Sequence, residues 1–303
     1  MEIGDHLDKQ HRGWLIPYLL QLDITDNPEQ NYFGHGRWLY WLDACERGQV
    51  PEMDIPQIRF TIQPAREDVK HVQDCLKFYV QKTGYWYDRG WLEMVGWLLH
   101  GFGRADMEKR VEEIPPEVRN FWYTQFNLGI LLRSPVDWSA YILQGNLPAM
   151  GNSKGRHMWA KSTGFFATPM NLVNMMVEMS FVGVDPDDAK IQTVGDPCAG
   201  TGSMLLPASN HSLRLYGQDI VYDLCLCAEL NGWLWIPWLV YVPPHMKALF
   251  EHLDEQRGER KDEPRPAPGL SLATNPKIVE ATQAYRAGEL GQGDFFTALG
   301  IGM

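Results

Sequence analysis

Residues 194–206 constrain the fold of this 303-residue chain more than any other stretch. An apolar run ends there at Asp196, a turn with Gly200 and Gly202 follows, and a second apolar segment begins after the turn. This order predicts a strand, a loop (residues 196–203, the glycine loop) and a helix. Because glycine has no Cβ, the backbone can adopt positive φ angles and approach a bound molecule closely. Loops of this kind follow the strands of open α/β sheets, where small ligands usually bind.

Two further elements flank the glycine loop. Upstream, residues 164–169 read Gly-Phe-Phe-Ala-Thr-Pro and precede apolar residues at helical spacing, so Thr168 and Pro169 predict the start of a helix. Downstream, residues 213–220 predict a second short strand that ends near Asp219, with a helix after it. An acid about twenty residues beyond a glycine loop is placed to accept hydrogen bonds from ribose hydroxyls.

Together, the three elements resemble the adenine-N6 DNA methyltransferases, especially the modification subunits of type I restriction systems, over roughly residues 162–240. The resemblance implies that the chain binds S-adenosylmethionine and methylates the exocyclic amine of adenine in DNA. In that family the first element and the glycine loop hold the methionine part of the cofactor, and the acid after the second strand holds its ribose. The matching positions are Phe166, Thr168 and Pro169, then Asp196, Pro197, Ala199, Gly200 and Gly202, and finally Asp219.

The catalytic motif of the family has no complete match in this sequence. The amino nitrogen of adenine is a poor nucleophile, and the family corrects this with an Asn/Asp-Pro-Pro-aromatic loop. The Asn side chain and a Pro carbonyl accept the amino hydrogens, while the aromatic ring stacks on the flipped base. The two Pro-Pro pairs, at residues 115–116 and 243–244, have neither Asn or Asp before them nor an aromatic residue after them.

The best positional candidate for this motif is Asn275-Pro276, in which Lys277 and Ile278 replace the second Pro and the aromatic residue. One interpretation is a catalytic remnant in which Asn275 holds the amino group of adenine. The other is a helix start, with Asn275 as N-cap and Pro276 at the first helical position. The first interpretation predicts an active methyltransferase. The second favours a degenerate relative that keeps the fold as a structural, partner-binding or cofactor-sensing protein.

Only 28 residues follow Asn275 in the chain of 303. A complete methyltransferase sheet needs three more strands and their helices after this point, and they do not fit in that length. We therefore expect one of three arrangements. The second half of the fold is missing, the N-terminal half supplies strands in a permuted order, or the chain works beside a protein partner.

Residues 1–150 predict a mainly α-helical N-terminal domain. Its abundant aromatic residues recur at helical spacing, which favours a packed core over a surface for stacking bases. Helices are predicted at residues 11–22, 35–47, 67–82, 88–100, 117–132 and 137–143, with an isolated strand at 58–62. The expected fold is thus a helical domain followed, at residues 151–303, by an α/β, Rossmann-like S-adenosylmethionine-dependent methyltransferase domain.

Composition limits the possible partners. The chain has 27 basic and 38 acidic residues and a net charge of −11, so we expect it to reach DNA through a partner subunit. Its nine histidines lack metal-binding spacing, and we expect no metal. The longest apolar runs fall short of the ~18 residues that span a bilayer, which predicts no membrane insertion. The five cysteines form no even framework, as is typical of a protein from the reducing cytoplasm.

Overall fold

The computed structural model describes residues 11–24, 35–147 and 163–256. Its first part is helical, and its second part combines helices with two short strands. The helices of the first part are α1 (Leu15–Ile24), α2 (Arg37–Arg47), α3 (Arg66–Thr83), α4 (Tyr87–Gly101), α5 (Glu108–Glu113), α6 (Pro116–Gln125), α7 (Leu128–Arg133) and α8 (Trp138–Leu143). The second part runs α9 (Met170–Ser180), α10 (Pro186–Ile191), β1 (Thr193–Asp196), α11 (Leu205–Ala208), β2 (Arg214–Gly217), α12 (Tyr222–Trp235), α13 (Pro237–Val240) and α14 (Pro244–Gln256).

Tryptophans fill the core of the helical part. Trp91, Trp97, Trp122 and Trp138 are all fully buried. The rings of Trp97 and Trp122 lie 5.5 Å apart, which joins α4 to α6. Large aromatic side chains contribute much of the apolar area that folding removes from water. The core interpretation is therefore confirmed for these residues, and it is wrong for Tyr85 and Trp86, which are exposed.

The predicted helix at residues 117–132 is wrong as a single element, because it breaks into α6 and α7 around Asn127. The Asn127 side chain accepts a hydrogen bond from the Gly129 amide at 2.9 Å and caps α7. Asn side chains compete with the helical backbone in this way, so they favour helix ends over helix interiors. The apolar periodicity continues through the break and gives no sign of it.

The predicted strand at residues 58–62 is also wrong, because this segment is extended but belongs to no sheet of the described residues. The Ile58 amide donates to Oδ1 of Asn210 at 2.9 Å. The Thr61 amide donates to the Pro135 carbonyl at 2.9 Å. Loop residues thus take the hydrogen bonds that a neighbouring strand would have made.

Strands β1 and β2 form a two-stranded parallel sheet with Gly195 opposite Tyr216 and Asp196 opposite Gly217. The Tyr216 side chain lies across Gly195, where any Cβ would collide with it. Because the strands are parallel, their carboxyl ends meet at one edge and bring the residues after them together. A larger Rossmann-like sheet stays a prediction, since the described residues contain only these two strands.

The two parts share a buried interface, in which α12 packs against α4. At a second contact, the buried Arg37 of α2 donates to Oγ of Ser209 at 2.6 Å and to the Trp235 carbonyl at 2.9 Å. Its guanidinium also lies over the Trp238 ring, 5.2 Å from the centroid. Burial lowers the pKa of Arg37 to about 9. The boundary predicted at residue 150 lies outside the described residues.

No helix in the described ranges has both the length and the apolar character that crossing a bilayer requires.

Candidate functional site

The glycine loop begins where β1 ends, and its first turn is held by its own residues. Oδ1 of Asp196 accepts a hydrogen bond from the Cys198 amide at 3.0 Å. The Gly202 amide donates to the Ala199 carbonyl at 2.7 Å. Gly200 has a φ of 55° and Gly202 a φ of 83°, so both adopt the left-handed conformation that residues with a Cβ rarely take. The predicted order of strand, glycine turn and helix is confirmed.

Neighbouring elements pack closely on both glycines. A Cβ at Gly202 would lie 3.1 Å from the Ala228 Cβ of α12. A Cβ at Gly200 would lie 3.2 Å from Cε2 of Phe165. The loop therefore fits between α12 on one side and the Gly-Phe-Phe-Ala-Thr-Pro element on the other, and glycine is required at both positions.

Asp219 lies two residues beyond β2 and contacts the glycine loop directly. Its Oδ2 accepts a hydrogen bond from the Gly200 amide at 2.9 Å. Its Oδ1 accepts one from the Val221 amide, also at 2.9 Å, and so fixes its own turn. The Ala199 amide donates to the Gln218 carbonyl at 2.9 Å and extends the pairing of the two strands. The structure thus brings the second and third sequence elements together.

The first element reaches the same place through Phe165, a residue that the sequence match passed over. Phe165 is partly buried against Gly200, whereas 87% of Phe166 is exposed. The sequence pattern selects Phe166, and only the fold shows that Phe165 contacts Gly200. Thr168 and Pro169 are exposed and lead into α9, which starts one residue later than the motif predicts.

A cavity of about 640 Å³ opens between the first element and α8. Its walls include Phe166, Thr168 and Pro169, with Ser203 and Asp137 deeper in. Small-molecule sites usually enclose about 300–1,000 Å³. The cavity is therefore large enough for a small organic ligand.

Asp137 is a site residue that the sequence does not reveal. It is the N-cap of α8, where its Oδ1 accepts the Ala140 amide at 2.9 Å. Its Oδ2 accepts the hydroxyl groups of Thr201 and Ser203, each at 2.6 Å. Burial raises the pKa of the Asp137 carboxyl, and these hydrogen bonds oppose the rise. The sequence signal for Asp137 is that of an ordinary helix cap.

Outside the loop, the sequence offers two Pro-Pro pairs and Asn275-Pro276 for comparison with the catalytic motif. The two Pro-Pro pairs start helices, with Pro116 as the first residue of α6 and Pro244 as the first of α14. Asn275 and Pro276 lie outside the described residues, so their catalytic role stays a prediction. Within the described ranges, no three His, Cys, Asp or Glu side chains gather as metal ligands would.

Comparison with known proteins identifies the segment that carries this site. A family model described as N-6 DNA methylase matches residues 155–234, which include the first element, both strands, the glycine loop and Asp219. No curated protein and no solved structure matches the chain. The match confirms the resemblance to adenine-N6 DNA methyltransferases over residues 155–234.

Proposed function

We propose that this chain binds S-adenosylmethionine at the glycine loop and takes part in adenine-N6 methylation of DNA. The observation that carries the proposal is the hydrogen bond from the Gly200 amide to Oδ2 of Asp219. It joins the glycine loop to the acid after β2, the two features whose spacing predicts a nucleoside site.

The residues at this edge of the sheet suit such a cofactor. Asp219 is partly exposed, and a carboxylate can accept about four hydrogen bonds, so both ribose hydroxyls could donate to it in addition to its two amides. Gly200 and Gly202 offer backbone without side chains for the methionine part. Phe166, Thr168 and Pro169 line the neighbouring cavity. When bound, the cofactor would supply a sulfonium-linked methyl group for transfer to an amine.

We further propose a working arrangement like that of a type I modification subunit, with a helical region before the methylase segment and DNA held through a partner. The helices α1–α8 precede the matched segment in the chain. Nonspecific affinity for DNA depends on lysine and arginine contacts to phosphates, which a chain with a net charge of −11 supplies poorly.

A second candidate function is a degenerate methyltransferase that senses the cofactor or binds a partner without catalysis. It is favoured by Lys277 and Ile278, which stand where the family has the second Pro and the stacking aromatic residue. The active enzyme and the cofactor sensor both require the cofactor site and differ in chemistry, whereas a purely structural or partner-binding relative does not require it.

Calorimetric titration of the full chain with S-adenosylmethionine and with its demethylated product tests the shared requirement. Asp219→Ala should weaken binding by about 1.5–3 kcal/mol, since it removes charge-assisted hydrogen bonds. Glu251→Gln, an exposed change on α14, is the control and should leave binding unchanged. Absence of heat up to millimolar ligand would contradict the proposal.

A further inference from the structure

A buried carboxylate of the helical part lies directly beneath the glycine loop. Only 3% of Asp137 is exposed, and its Oδ2 accepts the hydroxyl hydrogens of Thr201 and Ser203 at 2.6 Å each. Both hydroxyl-bearing residues are buried as well. Hydrogen bonds between side chains are stronger in a low-dielectric interior than in water.

Thr201 is held from a second side. The buried Asn231 of α12 donates from Nδ2 to the Thr201 carbonyl at 2.8 Å. The side chain of Thr201 is thereby fixed by α8 and its main chain by α12. Because Thr201 stands between Gly200 and Gly202, these two anchors also fix the orientation of the peptide groups on either side.

Hydrogen bonds that fix the neighbours of Gly200 and Gly202 stabilise the loop, because glycine loses more conformational freedom on folding than any other residue. A loop with two glycines in the left-handed conformation samples many alternatives unless its other residues are fixed. Asp219 already holds the Gly200 amide, and Asp137 adds hydrogen bonds to the side chains of both Thr201 and Ser203.

We propose that Asp137 is a positioning residue, which holds the glycine loop in its ligand-binding shape through the hydroxyl groups of Thr201 and Ser203. The effect on the loop itself can be measured without any ligand. The consequence for S-adenosylmethionine affinity rests on the proposed function.

A purely structural role for Asp137, as cap of α8, is the competing explanation. Asn caps helices about as well as Asp, so Asp137→Asn keeps an oxygen for the cap while it replaces the Oδ2 acceptor with an amide group that donates. Asp185 offers a matched control, since it caps α10 by accepting the Asp187 amide at 3.0 Å and is exposed. Asp185→Asn makes the same chemical change at a cap that does not contact the loop.

Hydrogen exchange of the full chain, followed by mass spectrometry, measures the loop directly. The Gly200 and Gly202 amides are hydrogen-bonded in the structure and are the reporters. We expect Asp137→Asn to speed their exchange at least about tenfold, because Thr201 and Ser203 lose their shared acceptor, and Asp185→Asn to leave it unchanged. Unchanged exchange in Asp137→Asn would overturn the proposal, whatever the ligand data show.

Thr201 variants keep the test decisive even if Asp137→Asn does not fold. Thr201→Val removes the hydroxyl at nearly constant shape, and Thr201→Ser keeps it. We expect faster exchange and at least about tenfold weaker binding of the demethylated cofactor in Thr201→Val only. Equal affinity in the two variants would count against positioning.

The two proposals fail in different ways. If the wild-type chain binds neither the cofactor nor its product, the proposed function fails, and the exchange rates alone decide the role of Asp137. If the wild-type chain binds but Asp137→Asn lowers stability without changing loop exchange or affinity, Asp137 is only a cap.

Discussion

Arg104 forms an ion pair with Glu229, a residue of α12 whose side chain is fully buried. Nη2 of Arg104 also donates to the hydroxyl of Tyr222 at 3.1 Å, at the start of the same helix. Arg104 follows α4, so this pair ties the helical part to the segment directly after Asp219. It is a second link between that part and the candidate site, separate from Asp137.

Removal of one partner of this ion pair should lower the stability of the folded chain. Arg104→Met leaves the Glu229 carboxylate buried without its counter-ion, and we expect the free energy of unfolding to fall by about 3–5 kcal/mol. Urea denaturation measures the change. Arg47→Met is the control, because the Arg47 side chain is 61% exposed in its pair with Asp43 and should lose at most about 1 kcal/mol. A similar fall in the free energy of unfolding in both variants would show that the buried ion pair stabilises the fold no more than the exposed pair does.

Gly202→Ala should impair the candidate site more than the same substitution at another glycine with a positive φ. The new Cβ would be strained at φ 83° and would press on Ala228 at 3.1 Å. Gly183 has a similar φ of 77° with nothing within 4 Å of an added Cβ, so Gly183→Ala isolates the backbone strain. We expect about 1–2 kcal/mol of destabilisation for Gly183→Ala, and more for Gly202→Ala. Loss of cofactor binding, measured by calorimetry, should occur in Gly202→Ala alone, and intact binding there would contradict the assigned loop.

The stability of the chain should depend on pH through Asp137. Burial raises the pKa of this carboxyl in the folded protein above its unfolded value of about 3.9, so the folded state binds the proton more tightly. The contribution of Asp137 to stability is therefore greatest at low pH and decreases as pH rises from about 4 through the folded pKa. Asn cannot ionise, so the stability of Asp137→Asn relative to wild type should rise over that window and then level off.

Denaturant unfolding at a series of pH values measures this difference, and its slope can reach about 1.4 kcal/mol per pH unit. Asp185→Asn, measured alongside, corrects for the change of one cap residue from Asp to Asn. If the stability difference between Asp137→Asn and wild type did not change with pH, burial would not raise the pKa of the Asp137 carboxyl.

Asn275→Ala separates the two candidate functions. If Asn275 holds the adenine amine, the variant should lose methyl transfer by orders of magnitude and keep its cofactor affinity. If Asn275 is a cap, the variant should lose about 1 kcal/mol of stability and nothing else. We expect the smaller effect, because Lys277 and Ile278 cannot reproduce the Pro carbonyl geometry and the aromatic stacking that a flipped adenine needs. Incorporation of tritiated methyl into adenine-containing DNA, with and without candidate partner subunits, gives the answer, and strong Asn275-dependent transfer by this chain alone would contradict our expectation.

The cofactor loop could be predicted from sequence because its signals are local. Gly200 and Gly202 mark a backbone that only glycine adopts readily, and Asp219 follows at a spacing that the sheet imposes. Asp137 could not be found in this way, since Thr201 and Ser203 are 64 and 66 residues away in the chain. Its local pattern is that of any helix cap, and only the packing of α8 against the loop gives it a further role.

The errors in the helical part have the same origin. Apolar periodicity reports which face of a segment is buried and says little about where the backbone changes partners. At Asn127 the side chain accepts the Gly129 amide and so begins a new helix, α7. At Ile58 the partner proved to be the side chain of a loop residue, Asn210, instead of a neighbouring strand.

The buried guanidinium of Arg37 has a consequence for how such proteins can be recombined. It joins α2 to Ser209 and Trp235, far along the chain, through hydrogen bonds of 2.6 and 2.9 Å. A chimera that takes its helical region from one relative and its methylase segment from another must therefore match both ends of this contact. A seam placed near residue 150 would separate Arg37 from Ser209 and Trp235, so the two regions have to be chosen as a matched pair.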